Sequence, residues 1–229
     1  MTLKQNEMTF LKTNIIPKKL LFNLSILLFS AFLINASFFT NPKIKINTPI
    51  KNNEFLLEYL SVKYPEQSFE NFIYVGVKRQ KLDLYLKGNH IISYPVSTSK
   101  HGAGTKADSD MTPVGLHKIR GKFGSDTPIG GILKARKYTG KIASIQTEAI
   151  ESREDVITTR VLTLEGLESG INKGGELDSY ERHIYIHGTA EEGLIGQPAS
   201  HGCVRMKNED VIDLFNLVDK DLTVVILNN

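Results

Sequence analysis

From residue 72 onward the chain is a succession of short β-forming runs, each cut by Gly, Pro, Asn or Asp. The runs span 72–78, 81–86, 91–97, 116–120, 156–164, 183–187 and 222–227. Val, Ile, Leu, Tyr and Phe dominate them, and such side chains suit a pleated, half-buried surface. Lys87-Gly88-Asn89 separates two runs as a hairpin turn would. Two segments carry helical spacing. In 54–64, Phe55, Leu56, Tyr59 and Leu60 recur at helical intervals, and Pro65 stops the helix. In 211–218, Val211, Leu214, Phe215 and Val218 line one face, with Asn208 as N-cap and Glu209 and Asp210 in the first turn. The stretches 99–110 and 121–131 read as loops. The pattern predicts a mostly-β domain over residues 71–229, a closed or sandwiched sheet with one or two helices.

The charge is unevenly placed. The chain carries a net +3. Lys4, Lys12, Lys18, Lys19 and Glu7 account for all of it, so the rest is electrically balanced. A balanced body has no field that would draw nucleic acid. Residues 20–39 contain no ionisable side chain. As a helix at about 1.5 Å per residue, that run reaches roughly 30 Å, the thickness of a bilayer core. It reads as an apolar helix, a membrane anchor or an uncleaved signal, behind a basic leader at 1–19. Lysines before it keep the leader cytoplasmic and send the body across the inner membrane to the envelope side. Residues 40–70 then form a linker with the short helix.

One cysteine is present, Cys203, so no internal disulfide can form. An unpaired thiol outside the cytoplasm is usually avoided, which singles it out. Its setting is Ser200-His201-Gly202-Cys203-Val204-Arg205-Met206. A short distance before stands Arg182-His183-Ile184-Tyr185-Ile186-His187-Gly188-Thr189. On a strand, Ile184 and Ile186 face a core while His183, Tyr185 and His187 face the other way. A helix would bring His183 and His187 onto one face as zinc ligands; the β-branched and aromatic alternation argues for the strand.

A cysteine nucleophile needs a base, a group to orient that base, and N–H donors for an oxyanion. His187 is the candidate base, oriented by the Gly188 carbonyl or a neighbouring side chain. Gly202 permits close approach of the backbone, and the Gly202 and Cys203 amides are candidate donors. Arg205 has the fork that grips a carboxylate, and its charge favours a thiolate. Taken alone, each has a plainer reading: a small buried thiol, a strand-end histidine, an ordinary ion-pair arginine.

The combination of His187-Gly188-Thr189 with Ser-His-Gly-Cys-Val-Arg-Met at 200–206 resembles the L,D-transpeptidase catalytic-domain family. Thr112-Pro113-Val114-Gly115, Tyr94-Pro95-Val96-Ser97-Thr98-Ser99 and Asn172-Lys173-Gly174-Gly175 extend the likeness over roughly 72–227. The resemblance implies a β-sandwich or barrel. It implies Cys203 and His187 as catalytic residues and Gly188, Gly202, His201 and Ser200 as orienting or oxyanion groups. Arg205, Tyr185 and Thr189 would contact substrate. It implies neither metal nor cofactor. The reaction would be acyl transfer from a peptidoglycan tetrapeptide stem through a thioester, with release of D-alanine. The acceptor is left open among a second stem (a 3→3 cross-link), water (an L,D-carboxypeptidase) and an envelope protein. Two departures stand out. Gly188 sits where some relatives have serine, and the usual glycine near Ser99 is missing, which leaves the shape of that loop open. A sortase-like enzyme, a metal-dependent peptidase using His187, His201 and Cys203, and a non-catalytic peptidoglycan binder are the competing readings.

Overall fold

The computed structural model describes residues 52–152 and 155–229. The expected leader, the apolar run and the first part of the linker, residues 40–51, lie outside them. Among the described residues no helix is long and apolar enough to cross a membrane.

The chain runs α1 (Asn52–Lys63), β1 (Phe72–Gly76), β2 (Lys81–Leu86), β3 (Asn89–Pro95), β4 (Gly115–Phe123), β5 (Gly131–Lys134), β6 (Lys137–Ile142), β7 (Ile157–Gly166), β8 (Tyr185–Thr189), β9 (Val204–Met206), α2 (Asn208–Leu217) and β10 (Thr223–Leu227). The strands form one mixed sheet in the order β3-β2-β1-β10-β4-β7-β5-β6. It branches at β7, where β8 pairs and in turn carries β9. A two-way backbone bridge between Ser97 and Arg205 then ties β9 to the chain leaving β3. The expected closed or sandwiched sheet is therefore one branched sheet, its β9 branch tied back to the chain leaving β3.

Both faces of the central strands are covered. Ile73 and Val75 of β1 enter a large cluster with Leu84, Ile119, Leu162, Leu164, Ile186 and Val204, sealed by Val211 and Leu214 of α2. Phe72 and Tyr74 enter a second cluster with Leu60 of α1, Tyr85 and Val225. Side chains alternate along a strand, so burial of both sets demands an apolar residue at nearly every position. That is why Phe72-Ile73-Tyr74-Val75 and Val224-Val225-Ile226 read as unbroken apolar runs. At about 25 cal/mol per Å² this burial is the main favourable term.

The structure corrects the sequence reading at several points. The expected strand at 183–187 begins only at Tyr185: Arg182 and His183 close a turn on Asp178 and Tyr180, and His183 adopts φ 57°. Part of the expected 121–131 loop is strand, since β4 runs to Phe123. β5, β6 and β9 were not foreseen. All six residues of β6 are exposed and it pairs only with β5, so it carries no buried face to read. β9 has three residues, too few for a pattern. Asn208 does not cap α2. Its side chain is buried and donates to the Thr189 carbonyl (2.9 Å), while the carboxylate of Glu192 receives its N–H at 2.8 Å. The first turn of α2 is thus satisfied from a neighbouring segment, and the helix is bolted to the end of β8.

Candidate active site

β8 and β9 run parallel, with Ile186 opposite Val204 and His187 opposite Arg205. Ile186 and Val204 go to the main core. Tyr185, His187 and Arg205 take the opposite face, and Cys203 immediately precedes β9. The expected segregation of Ile184 and Ile186 from Tyr185 and His187 is what the structure has; His183 is exposed, its ring edge-on to Tyr185.

Cys203 packs against a small apolar cluster of Leu133, Val161 and Tyr185, which Phe123 and Ile157 also flank. The Tyr185 amide donates to Sγ at 3.3 Å, and the thiol donates to the His183 carbonyl at 3.4 Å. Burial pushes the thiol up to about 11, against the Tyr185 hydrogen bond that favours the thiolate. His187 is buried, and its Nδ1 lies 2.8 Å from the Gly188 carbonyl oxygen. A carbonyl only accepts, so Nδ1 bears the proton and Nε2 keeps its lone pair. Burial lowers the imidazole below the ordinary histidine value, although nearby Asp155 and the Gly188 bond oppose that. Burial thus disfavours the charged form of both groups.

The Ser200 hydroxyl fixes the loop that carries the thiol. It donates to the Cys203 carbonyl (2.6 Å) and accepts the Gly202 N–H (3.2 Å). Gly202, expected as an oxyanion donor, thus has its amide engaged by Ser200. Its φ of +118° suits glycine, and an added Cβ would press on the Met111 carbonyl at 3.3 Å. Gly188 has no room for a side chain: a Cβ would lie 2.7 Å from the Thr158 carbonyl oxygen.

Arg205, expected to be open to a substrate carboxylate, is only 1 % exposed. Nη1 binds Glu191 at 2.7 Å, Nη2 binds Asp155, and Nε has no hydrogen-bond partner among the described residues. His201, with its side chain 47 % exposed, reaches the same Asp155 oxygen at 3.1 Å. Burial works against the Asp155 carboxylate, but Arg205, His187 and His201 outweigh it and hold its pKa below the usual range. Thr189 is buried. Its hydroxyl accepts the Glu191 N–H (3.1 Å) and its carbonyl accepts from Asn208. Tyr185 lines a cleft of about 360 Å³ with Leu133, Arg136, Val161 and His183.

Asp155, Glu191 and Arg182 were not singled out from sequence. Arg182 donates to the carbonyls of Thr105 (2.8 Å) and Met111 (2.7 Å), and so holds the loop at 99–111 against the Cys203 segment. That loop closes without a glycine at Ser99, whose hydroxyl donates to the Asp110 carbonyl at 2.5 Å. Acidic and arginine side chains in loops are too common to mark a site before the fold gathers them.

A family model described as the L,D-transpeptidase catalytic domain, YkuD, matches residues 70–227. YkuD of Bacillus subtilis (strain 168), by name an L,D-transpeptidase, is 40 % identical over 60 residues, covering 24 % of this chain and 37 % of that protein. Its namesake in Bacillus licheniformis is 38 % identical over 60 residues, covering 24 % and 36 %. The aligned part thus spans little more than a third of these relatives. Among solved structures, an L,D-transpeptidase from Mycobacterium smegmatis aligns at TM-score 0.41 and 14 % identity, over 69 % of this chain and 58 % of that one. L,D-transpeptidase 3 from Mycobacterium tuberculosis, in complex with a faropenem-derived adduct, aligns at 0.43 and 14 %, over 69 % and 60 %. With the family model matching well over half of its length, the chain belongs to the YkuD family of L,D-transpeptidase catalytic domains.

Proposed function

We propose that the protein is a cysteine acyltransferase acting on peptidoglycan stem peptides on the outer side of the inner membrane. The observation that carries this reading is the β8–β9 pairing, which puts His187 and Cys203 on adjacent parallel segments with the His187 tautomer set by the Gly188 carbonyl. The Cys203 thiol attacks the carbonyl of the third stem residue as Nε2 of His187 takes its proton. Burial of both groups favours this concerted transfer over a preformed thiolate. The tetrahedral intermediate collapses to a thioester, and His187 returns the proton to the departing D-alanine amine. An amine of a second stem attacks the thioester, with His187 again as base, and the thiol is regenerated. Arg205 acts as a positioning residue, held between Asp155 and Glu191.

Intact-mass analysis after exposure to a carbapenem tests the reading. One covalent adduct per chain, mapped to Cys203, is the expected result; an unmodified protein or an adduct elsewhere overturns it.

The protonation states give a pH prediction. The base must be neutral, so acylation rises with pH through a midpoint below the ordinary histidine value near 6.5. Asp155 raises the imidazole pKa, so its charge works against burial. Asp155→Asn should move the acidic limb of the acylation profile to lower pH. A stopped-flow pH series on both proteins checks this, and an unmoved limb refutes the coupling.

A further inference from the structure

A cavity of about 730 Å³ lies between α1 and strands β1–β3. That volume is within the roughly 300–1,000 Å³ of small-ligand sites. It shares no lining residue with the cleft beside Tyr185 or with the one beside Arg182 and His201.

One wall is aromatic and unburied. Phe55 and Tyr59, one helical turn apart on α1, are 64 % and 48 % exposed. Tyr74 and Tyr85 form the floor. The opposite wall is polar and mixed. The Asp83 carboxylate is 5 % exposed and receives Arg79 at 2.9 Å and the Ser93 hydroxyl, with His90 at 3.4 Å. The Arg79 guanidinium also lies over the Tyr74 ring, 5.4 Å from its centre. Burying a carboxylate among four partners, Lys81 at 3.9 Å included, beside open aromatic rings is costly for a surface with nothing to bind.

The lining selects among ligand classes. A divalent cation needs several carboxylate or carbonyl oxygens, and here one carboxylate is already taken by cations. A phosphate would leave the exposed Phe55 and Tyr59 rings without a partner. A wholly apolar ligand would strand Asp83, Arg79 and His90. A saccharide meets every wall, because a pyranose ring has apolar C–H faces for aromatic rings and hydroxyls that both donate and accept. We propose that this cavity binds a saccharide, its ring on Tyr59 and Phe55 and its hydroxyls on the Arg79–Asp83–His90 wall. The proposal rests on the peptidoglycan reading for the ligand's identity, the amino-sugar strand that bears the stems. Holding the strand remotely raises the effective concentration of stems at Cys203.

The test uses the full chain with Cys203→Ala and a β-1,4-linked N-acetylglucosamine tetramer, a glycan without peptide. Calorimetry should show saturable binding, weakened at least about tenfold by Tyr59→Ala or Phe55→Ala. Both rings are exposed, so the thermal midpoint should hold, and the same changes in the Cys203 protein should leave the carbapenem adduct intact. No binding at millimolar tetramer, or binding indifferent to both ring deletions, overturns the proposal. Tetramer binding without a Cys203 adduct would sink the acyltransferase reading alone; an adduct without tetramer binding would sink this one alone.

Discussion

Cys203→Ala should abolish release of D-alanine and formation of 3→3 dimers from tetrapeptide muropeptides, a loss of at least about 10⁴-fold in turnover. The size follows from the chemistry: without sulfur there is no thioester, and water must attack the stem directly. Folding should survive. The thiol packs against a small apolar cluster, and truncating it removes one atom from contact with Leu133, Val161 and Tyr185. That costs about 1 kcal/mol, a modest fraction of a typical domain's stability. Alanine is the better probe than serine, which would bring a hydroxyl into that apolar setting. Muropeptide chromatography before and after incubation measures the effect. Wall-modifying activity that survives in the alanine variant would place the nucleophile elsewhere and restore the non-catalytic reading of Cys203. Tripeptide stems without dimers from the unmodified protein would assign water as the acceptor.

Arg205→Ala should be the most destabilising single change near the site. The guanidinium is buried between Glu191 and Asp155, and the Glu191 side chain is itself buried. Deleting the arginine leaves that carboxylate without its cation in a low-dielectric setting. Breaking such a buried pair costs about 3–5 kcal/mol. Asp155 is partly exposed and adds little, because water can replace its partner. Lysine should not rescue fully, since a point charge cannot hold two carboxylates as the planar fork does. The double change Arg205→Met with Glu191→Gln should recover most of the loss, because no buried charge is then stranded. Urea unfolding of the four proteins measures this. If Arg205→Ala instead unfolds like wild type and only raises KM, the residue is a substrate ligand, as the sequence motif alone suggests.

The contrast between those two residues shows where sequence reading runs out. Cys203 and His187 stood out in the sequence because a lone thiol, a strand carrying His-Gly and a glycine before the cysteine are each uncommon, and they occur together. The segment at 81–86 was read to the residue, because its pattern and the Gly88 turn are local. Lys87 and Gly88 do adopt the left-handed conformation that the turn requires. β6 was not legible, because a strand with no buried face leaves no period. The partners of Arg205 and Asn208 were not legible for a related reason. Their side chains are satisfied by Glu191, Asp155, Thr189 and Glu192, partners brought together by β8 and the turn after it.

By itself, then, the sequence determined the strand-rich class and the family, and it singled out Cys203 and His187 as the candidate nucleophile and base. Those depend on residue identity and local periodicity, which the chain carries in order. The protonation states of Cys203 and His187, the two carboxylates that hold Arg205, and the aromatic cavity under α1 were decided by tertiary structure alone. Each arises from burial or from groups far apart along the chain, and desolvation and ion pairing exist only once folding has put those groups within a few ångströms of one another.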